Sequence, residues 1–314
     1  MLGWFSSRRA TTPAAATASA VAAPAVHAAV PPCPATRPSA IHDGGAPEVP
    51  TSTLSWLLDG PQPVQAPPSD AERQWLSQLD RLLASPRLPA DLLPRAASVI
   101  PQLLALIRQE SPSRATMAQQ VTKDLLLTAE VLRMARSPFY GAQPVETIDA
   151  ALDRIGTAGL HSAMSKVLLK PVFQPHGGGL AARAAPRLWQ RSEQKSMSCA
   201  AHMAREGGDR FEGFLAGLLH DSGWLALLRL IDRNGQAPSL PLSRVLDLSL
   251  ERRKDRLFGR LVADWDLSPA LSALAQQLQS TPMPRLALPL AEALVAADLQ
   301  CGAEPAPSQS VQPA

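Results

Sequence analysis

The pair that invites a chemical reading is His220-Asp221, inside Phe214-Leu215-Ala216-Gly217-Leu218-Leu219-His220-Asp221-Ser222-Gly223. Adjacent His and Asp on a helix can both reach one divalent ion, since imidazole nitrogen and carboxylate oxygen suit Fe, Mn, Zn or Mg. An ion so held can activate water for phosphate-ester hydrolysis. The same dipeptide also fits a purely structural role, with Asp221 orienting the imidazole. A second candidate, Gly177-Gly178-Gly179, lacks the strand and the downstream Gly-Lys-Ser of a phosphate-binding loop, so it reads as a connection between two helical halves. Cys33, Cys199 and Cys301 are too widely spaced for a zinc pattern or a disulfide framework.

The elements that must position these residues are helices. Aromatic content is 4%, low for a protein built on strands, while 46% hydrophobic residues suffice for a sizeable core. Ser69-Asp70-Ala71-Glu72 fits a capping box, and Trp75, Leu76, Leu79, Leu82 and Leu83 recur at helical spacing before Pro86 and Pro89. Further helical patterns run over 92–107, with a kink expected at Pro101, over 113–121, from the cap Asp124 to Met134, and on both sides of Gly156. Beyond the glycine triplet, helices are expected at 188–205, 211–231, 242–265, 271–278 and 289–299. The fold class is all-α, with roughly ten helices. Glu251-Arg252-Arg253-Lys254-Asp255-Arg256 mixes both signs and reads as a solvated helix face.

The termini read differently. Residues 10–50 hold 14 Ala and 8 Pro, too few large apolar side chains to offset chain entropy. Residues 1–68 are therefore expected to be a disordered Ala/Pro-rich tether, and 303–314 a disordered tail. Leu54-Ser55-Trp56-Leu57-Leu58 reads as a hydrophobic turn that docks weakly on the folded part. Pro13 and Pro24 interrupt the only run that resembles a secretory signal, and no run approaches eighteen uninterrupted apolar residues. The expectation is a cytoplasmic chain without a membrane span. A formal charge of +3, without a concentrated basic patch, gives no reason to expect nucleic acid.

Several segments together resemble the HDOD family, a branch of the HD superfamily of metal-dependent phosphohydrolases. They are Leu88-Pro89-Ala90-Asp91-Leu92-Leu93-Pro94, Val131 to Gly141, Ile148 to Gly156, Leu188-Trp189-Gln190-Arg191-Ser192 and Phe214 to Gly223. The resemblance spans about Leu82 to Gly302. It implies an HDOD-type helical domain over 69–302, with an N-terminal half at 69–175 packed on a pseudo-HD half at 180–302. It also implies a metal held by a first His, the His-Asp pair and a late Asp. His220 and Asp221 match the pair and Asp298 matches the late Asp. Arg191 stands where the first His belongs, and a guanidinium is no metal ligand. Gln276, Gln277, Leu278 and Gln279 replace a His-His found in two-metal relatives. His161, His176 and His202 fall outside motif positions and read as surface or satisfied helix residues.

The metal site at His220, Asp221 and Asp298 thus reads as vestigial, with Arg191 as a charge substitute salt-bridged to Asp221 and Asp298. The implied function is a non-catalytic signalling pseudoenzyme. It would bind signalling proteins in trans, in a two-component or cyclic-dinucleotide pathway, and would need no cofactor. The alternative is a residual phosphohydrolase holding Mn or Fe, or a nucleotide sensor that binds phosphate at Arg191.

Overall fold

Helix signals in the sequence translate into a helical protein through caps that satisfy orphan backbone donors. In the computed structural model, which describes residues 52–89, 92–93, 95–108, 114–141, 144–174, 178–235 and 241–302, these are α1 (Thr53–Leu58), α2 (Asp70–Ala84), α3 (Ala96–Arg108), α4 (Arg114–Lys123), α5 (Leu125–Ala135), α6 (Ile148–Leu169), α7 (Leu180–Arg205), α8 (Arg210–His220), α9 (Ser222–Asn234), α10 (Arg244–Trp265), α11 (Pro269–Leu278) and α12 (Pro289–Gly302). Three short 3-10 turns connect them, and among the described residues there is no strand beyond a single bridge between Val64 and Ser243. The Ser69–Glu72 capping box forms, and Asp124 accepts from the backbone N–H groups of Leu126 and Leu127. α3 runs unbroken through Pro101. Gly156 bends α6, at φ 65°, a conformation that favours glycine.

Three expectations need correction. First, order begins before residue 69. α1 is a capped helix whose Leu54, Leu57 and Leu58 are buried in the main core rather than weakly docked. Arginines of α7 hold its C-terminal carbonyls, Arg187 donating to Trp56 O at 2.7 Å and Arg183 to Leu58 O at 3.0 Å. The strap that follows bonds to the start of α10, Val64 N–H donating to Leu242 O and Arg244 N–H to Val64 O. Residues 1–51 and 303–314, with the tether and tail expected there, lie outside the described residues, as does His176.

Second, the core does not divide at the glycine triplet. A large cluster joins α1, α2 and α3 to α7–α12, while a smaller one belongs to α4, α5 and α6. Helices α2 and α3 precede the triplet yet bury their leucines with the second half. At the triplet, Gly179 caps α7 with φ 104°, and its Cα lies against Asp232. The Asp232 carboxylate accepts from Leu180 N–H at 2.8 Å and Ala181 N–H at 3.0 Å, so the protein's own carboxylate takes the anion seat at this helix start.

Third, the helix expected over 211–231 is two helices that meet at Asp221. Arg210–Arg233 is nonetheless long and apolar enough to cross a membrane by composition, and 94% of its apolar window is buried inside the protein. That burial is what a segment running through the centre of a core requires. α8 lies directly on α7, and a Cβ on Gly217 would come within 2.6 Å of Lys195 O. Likewise a Cβ on Gly223 would collide with Lys254 O. Two glycines flanking His220-Asp221 therefore seat the backbones of Lys195 and Lys254 against that corner.

Candidate functional site: a buried ion cluster

The corner between α8 and α9 carries His220 and Asp221, both fully buried. α7 contributes Arg191 and, one turn on, Lys195; α10 contributes Lys254 and Asp255; α12 contributes Asp298. Arg191 spans two carboxylates, one nitrogen to Asp221 Oδ1 at 2.8 Å and the other to Asp298 Oδ1 at 2.7 Å. The sequence reading paired this guanidinium with both acids, and in the structure its fork gives one nitrogen to each. Lys195 reaches the same two oxygens, at 3.1 Å and 2.7 Å, and also contacts His220 Nδ1. Lys254 pairs with Asp255 Oδ1 at 2.9 Å.

The shorter contacts favour one state of the imidazole, Lys254 Nζ lying farther from Nε2 at 3.4 Å. An ammonium can only donate, so Nδ1 of His220 accepts from Lys195. Nε2 then carries the proton and donates to Asp255 Oδ1 at 2.9 Å. Burial, reinforced by the charges of Lys195 and Lys254, pushes the His220 pKa down to about 4, so the ring is neutral at pH 7. Desolvation pushes Asp298 up, but Lys195, Lys254 and Arg191 outweigh it and hold that carboxyl well below its usual range. Asp221 is held down in the same way against its burial, by Arg191 and then Lys195. Asp255 is lowered against burial chiefly by Lys254. Lys254 in turn is raised, burial being overcome by Asp255 and Asp298. Three cations face Asp221, Asp255 and Asp298 around a neutral imidazole, and Glu251 stands 3.5 Å from Lys254 as a fourth carboxylate.

A divalent ion does not fit this donor set. Nδ1 of His220 and the Oδ1 atoms of Asp221, Asp255 and Asp298 already face cationic nitrogens. Asp221 Oδ2 is buried without a partner, but one buried oxygen does not make a donor set for an ion. Two further positive charges would also stand against the three cations already held there. Among the described residues, no group of three or more His, Cys, Asp or Glu side chains is disposed to hold a metal.

The structure therefore brings together every site residue read from the sequence, namely Arg191, His220, Asp221 and Asp298. It adds Lys195, Lys254 and Asp255, which sequence reasoning missed. Lys254 and Asp255 sit in the run 251–256 that was taken as a solvated face; Lys254 is instead 2% exposed. A signal was present. Leu250, Lys254, Leu257, Phe258 and Leu261 share one helical stripe, and an ion in an apolar stripe is a buried ion. Lys195 likewise stands four residues after Arg191, on the same face. Phosphate binding at Arg191 is excluded by its place, buried with both terminal nitrogens occupied. His161 packs edge-on against Phe211, which fits a satisfied helix residue.

The HDOD domain family model matches residues 93–280, and the chain belongs to that family. Among solved structures, it is similar to a putative metal-dependent phosphohydrolase from Shewanella amazonensis SB2B, with a TM-score of 0.55 and 19% identity over 74% of this chain and 84% of that one. An HDOD domain protein of unknown function from Geobacter sulfurreducens gives a TM-score of 0.46 and 20% identity over 74% and 76%. No curated protein matches the chain.

Proposed function

We propose that this HDOD protein is a non-catalytic signalling module. It acts in the cytoplasm by binding signalling proteins in trans, in a two-component or cyclic-dinucleotide pathway. The observation that carries this reading is the placement of Arg191, Lys195 and Lys254 among the atoms from which an HD enzyme would grip its ion. Ammonium and guanidinium groups cannot activate water as a Lewis acid does. A cluster whose carboxylates are already paired with cations supports a scaffold whose surfaces, not its interior, meet other molecules.

The test is to purify the full chain with excess Mn or Fe, quantify bound metal, and assay cyclic and linear phosphodiesters. The expected result is substoichiometric metal and no turnover. Tight, stoichiometric metal, or hydrolysis lost in His220→Ala, would replace this reading with the residual phosphohydrolase.

A further inference from the structure

α10 also carries two arginines outside the ion cluster, Arg252 and Arg256, one helical turn apart. Both line a small cleft closed on its far side by Gln279, Ser280 and Thr281, in the turn that follows α11. Its empty volume is about 270 Å³. That figure includes open solvent at the mouth, so the cleft is a shallow seat for one compact charged group rather than a pocket that engulfs a ligand.

Neither arginine bonds to any described residue, and the Nε of Arg256 is shut from solvent with no partner. Neighbouring arginines of the same helix are occupied: Arg253 pairs with Asp80 at 2.6 Å, and Arg260 donates to Leu83 O at 2.7 Å. Two like charges at i and i+4 repel one another, and a guanidinium N–H buried without an acceptor carries a desolvation cost. Across the cleft, the hydroxyls of Ser280 and Thr281 have only weak bonds, to each other and from Ser280 to Gln277 O, all at 3.4 Å. Asp255 also lines the cleft, but Lys254 and the N–H of His220 already balance it at its Oδ1.

We propose that this cleft binds a phosphoryl group, clamped by the guanidinium forks of Arg252 and Arg256 and received by the hydroxyls of Ser280 and Thr281. Planar guanidinium groups match phosphate oxygens in pairs, and hydroxyls donate to the remaining oxygens. The dianion can come from inorganic phosphate or from a phosphomonoester. The site stands whether or not the ion cluster is catalytic, because it uses none of the cluster's bonds.

Isothermal titration of the full chain at low salt tests this, first with inorganic phosphate and then with a nucleoside 5′-monophosphate. Saturable one-to-one binding is expected, weakened at least about tenfold by Arg256→Gln, since a charge-assisted bond is lost. Arg252→Gln, at an exposed position and so compatible with folding, should weaken it as well. Arg205→Gln, exposed at the end of α7 and not among the residues lining the cleft, should not. Tighter binding of the nucleotide would name a phosphomonoester as the ligand; equal affinity would name phosphate itself. No saturable binding of either probe, or unchanged affinity in both Arg252→Gln and Arg256→Gln, overturns the proposal.

Discussion

Two regions of this molecule bury a lysine among carboxylates, and they do so on different terms. In the main core, Lys195 and Lys254 share an enclosed cluster with Arg191, and Asp221 beside them is fully buried. At the smaller core, Lys166 of α6 bridges Glu130 at 2.9 Å and Glu193 at 2.6 Å, and Arg133 pairs with the same two acids. There the lysine side chain is 3% exposed, but Glu193 keeps 27% and Arg133 55% of their surface. In the first arrangement Asp298 keeps 29% of its surface, but Arg191, Lys195, Lys254 and Asp221 have almost no water to fall back on, whereas the second leaves Arg133 more than half exposed. The second can lose a member and let solvent in. Burial of the partners, more than the number of ion pairs, sets what each bond is worth.

Removing a carboxylate from the enclosed cluster should have the largest effect. Asp221→Asn leaves Arg191 and Lys195 short of an anion in a dry site, a loss of about 3–5 kcal/mol by the usual scale for a broken buried pair. Urea denaturation reads it directly. Lys166→Met in the open network should cost less, about 1–3 kcal/mol, because the freed glutamates keep Arg133 and gain water. If the two variants lose equal stability, the contrast between enclosed and open networks is broken.

The pH dependence of stability sharpens the same contrast. Unfolded His220 takes up a proton near pH 6.5, whereas the folded ring waits until about pH 4. Between those values the unfolded chain binds the extra proton, so stability falls as pH drops, by about 1.4 kcal/mol per unit from this group alone. Replacing His220 with Asn should flatten that segment of the curve. Below it, Asp221, Asp255 and Asp298, all held down in the folded protein, add a further acid loss. Gly217→Ala probes how the site is seated. Its new methyl meets the Lys195 backbone, an overpacking cost of about 1–3 kcal/mol.

Much of this was legible before any coordinates. Periodic leucines and capping residues announce the helices, and the 29-residue spacing from Arg191 to His220 places a cation where an imidazole is expected. What the chain does not announce is where a charged residue changes allegiance. Lys254 lies among five other charged residues, and composition averages it into a surface; only its register with Leu250, Leu257 and Leu261 betrays burial. The helix break at Asp221 was hidden for a related reason. Apolar residues continue through it on both sides because both helices are core on nearly every face. Periodicity then loses its contrast, and a turn without Pro leaves no mark.

The smallest expected effect is a null result, and it separates one substitution from three. Arg191→His restores the imidazole that an HD metal site would have, and a reading based on that position alone predicts that metal binding returns. The cluster predicts otherwise. Lys195 still donates to His220 Nδ1 and still pairs with Asp221 and Asp298, and Lys254 still balances Asp255. Those ammonium groups occupy the same lone pairs that an ion needs. Manganese titration of Arg191→His should therefore match the parent protein. Adding Lys195→Ala and Lys254→Ala frees the imidazole nitrogen and the carboxylates together, and only that triple variant should bind manganese. Binding by the single variant would mean that the two lysines yield readily, and that Arg191 alone keeps the ion out.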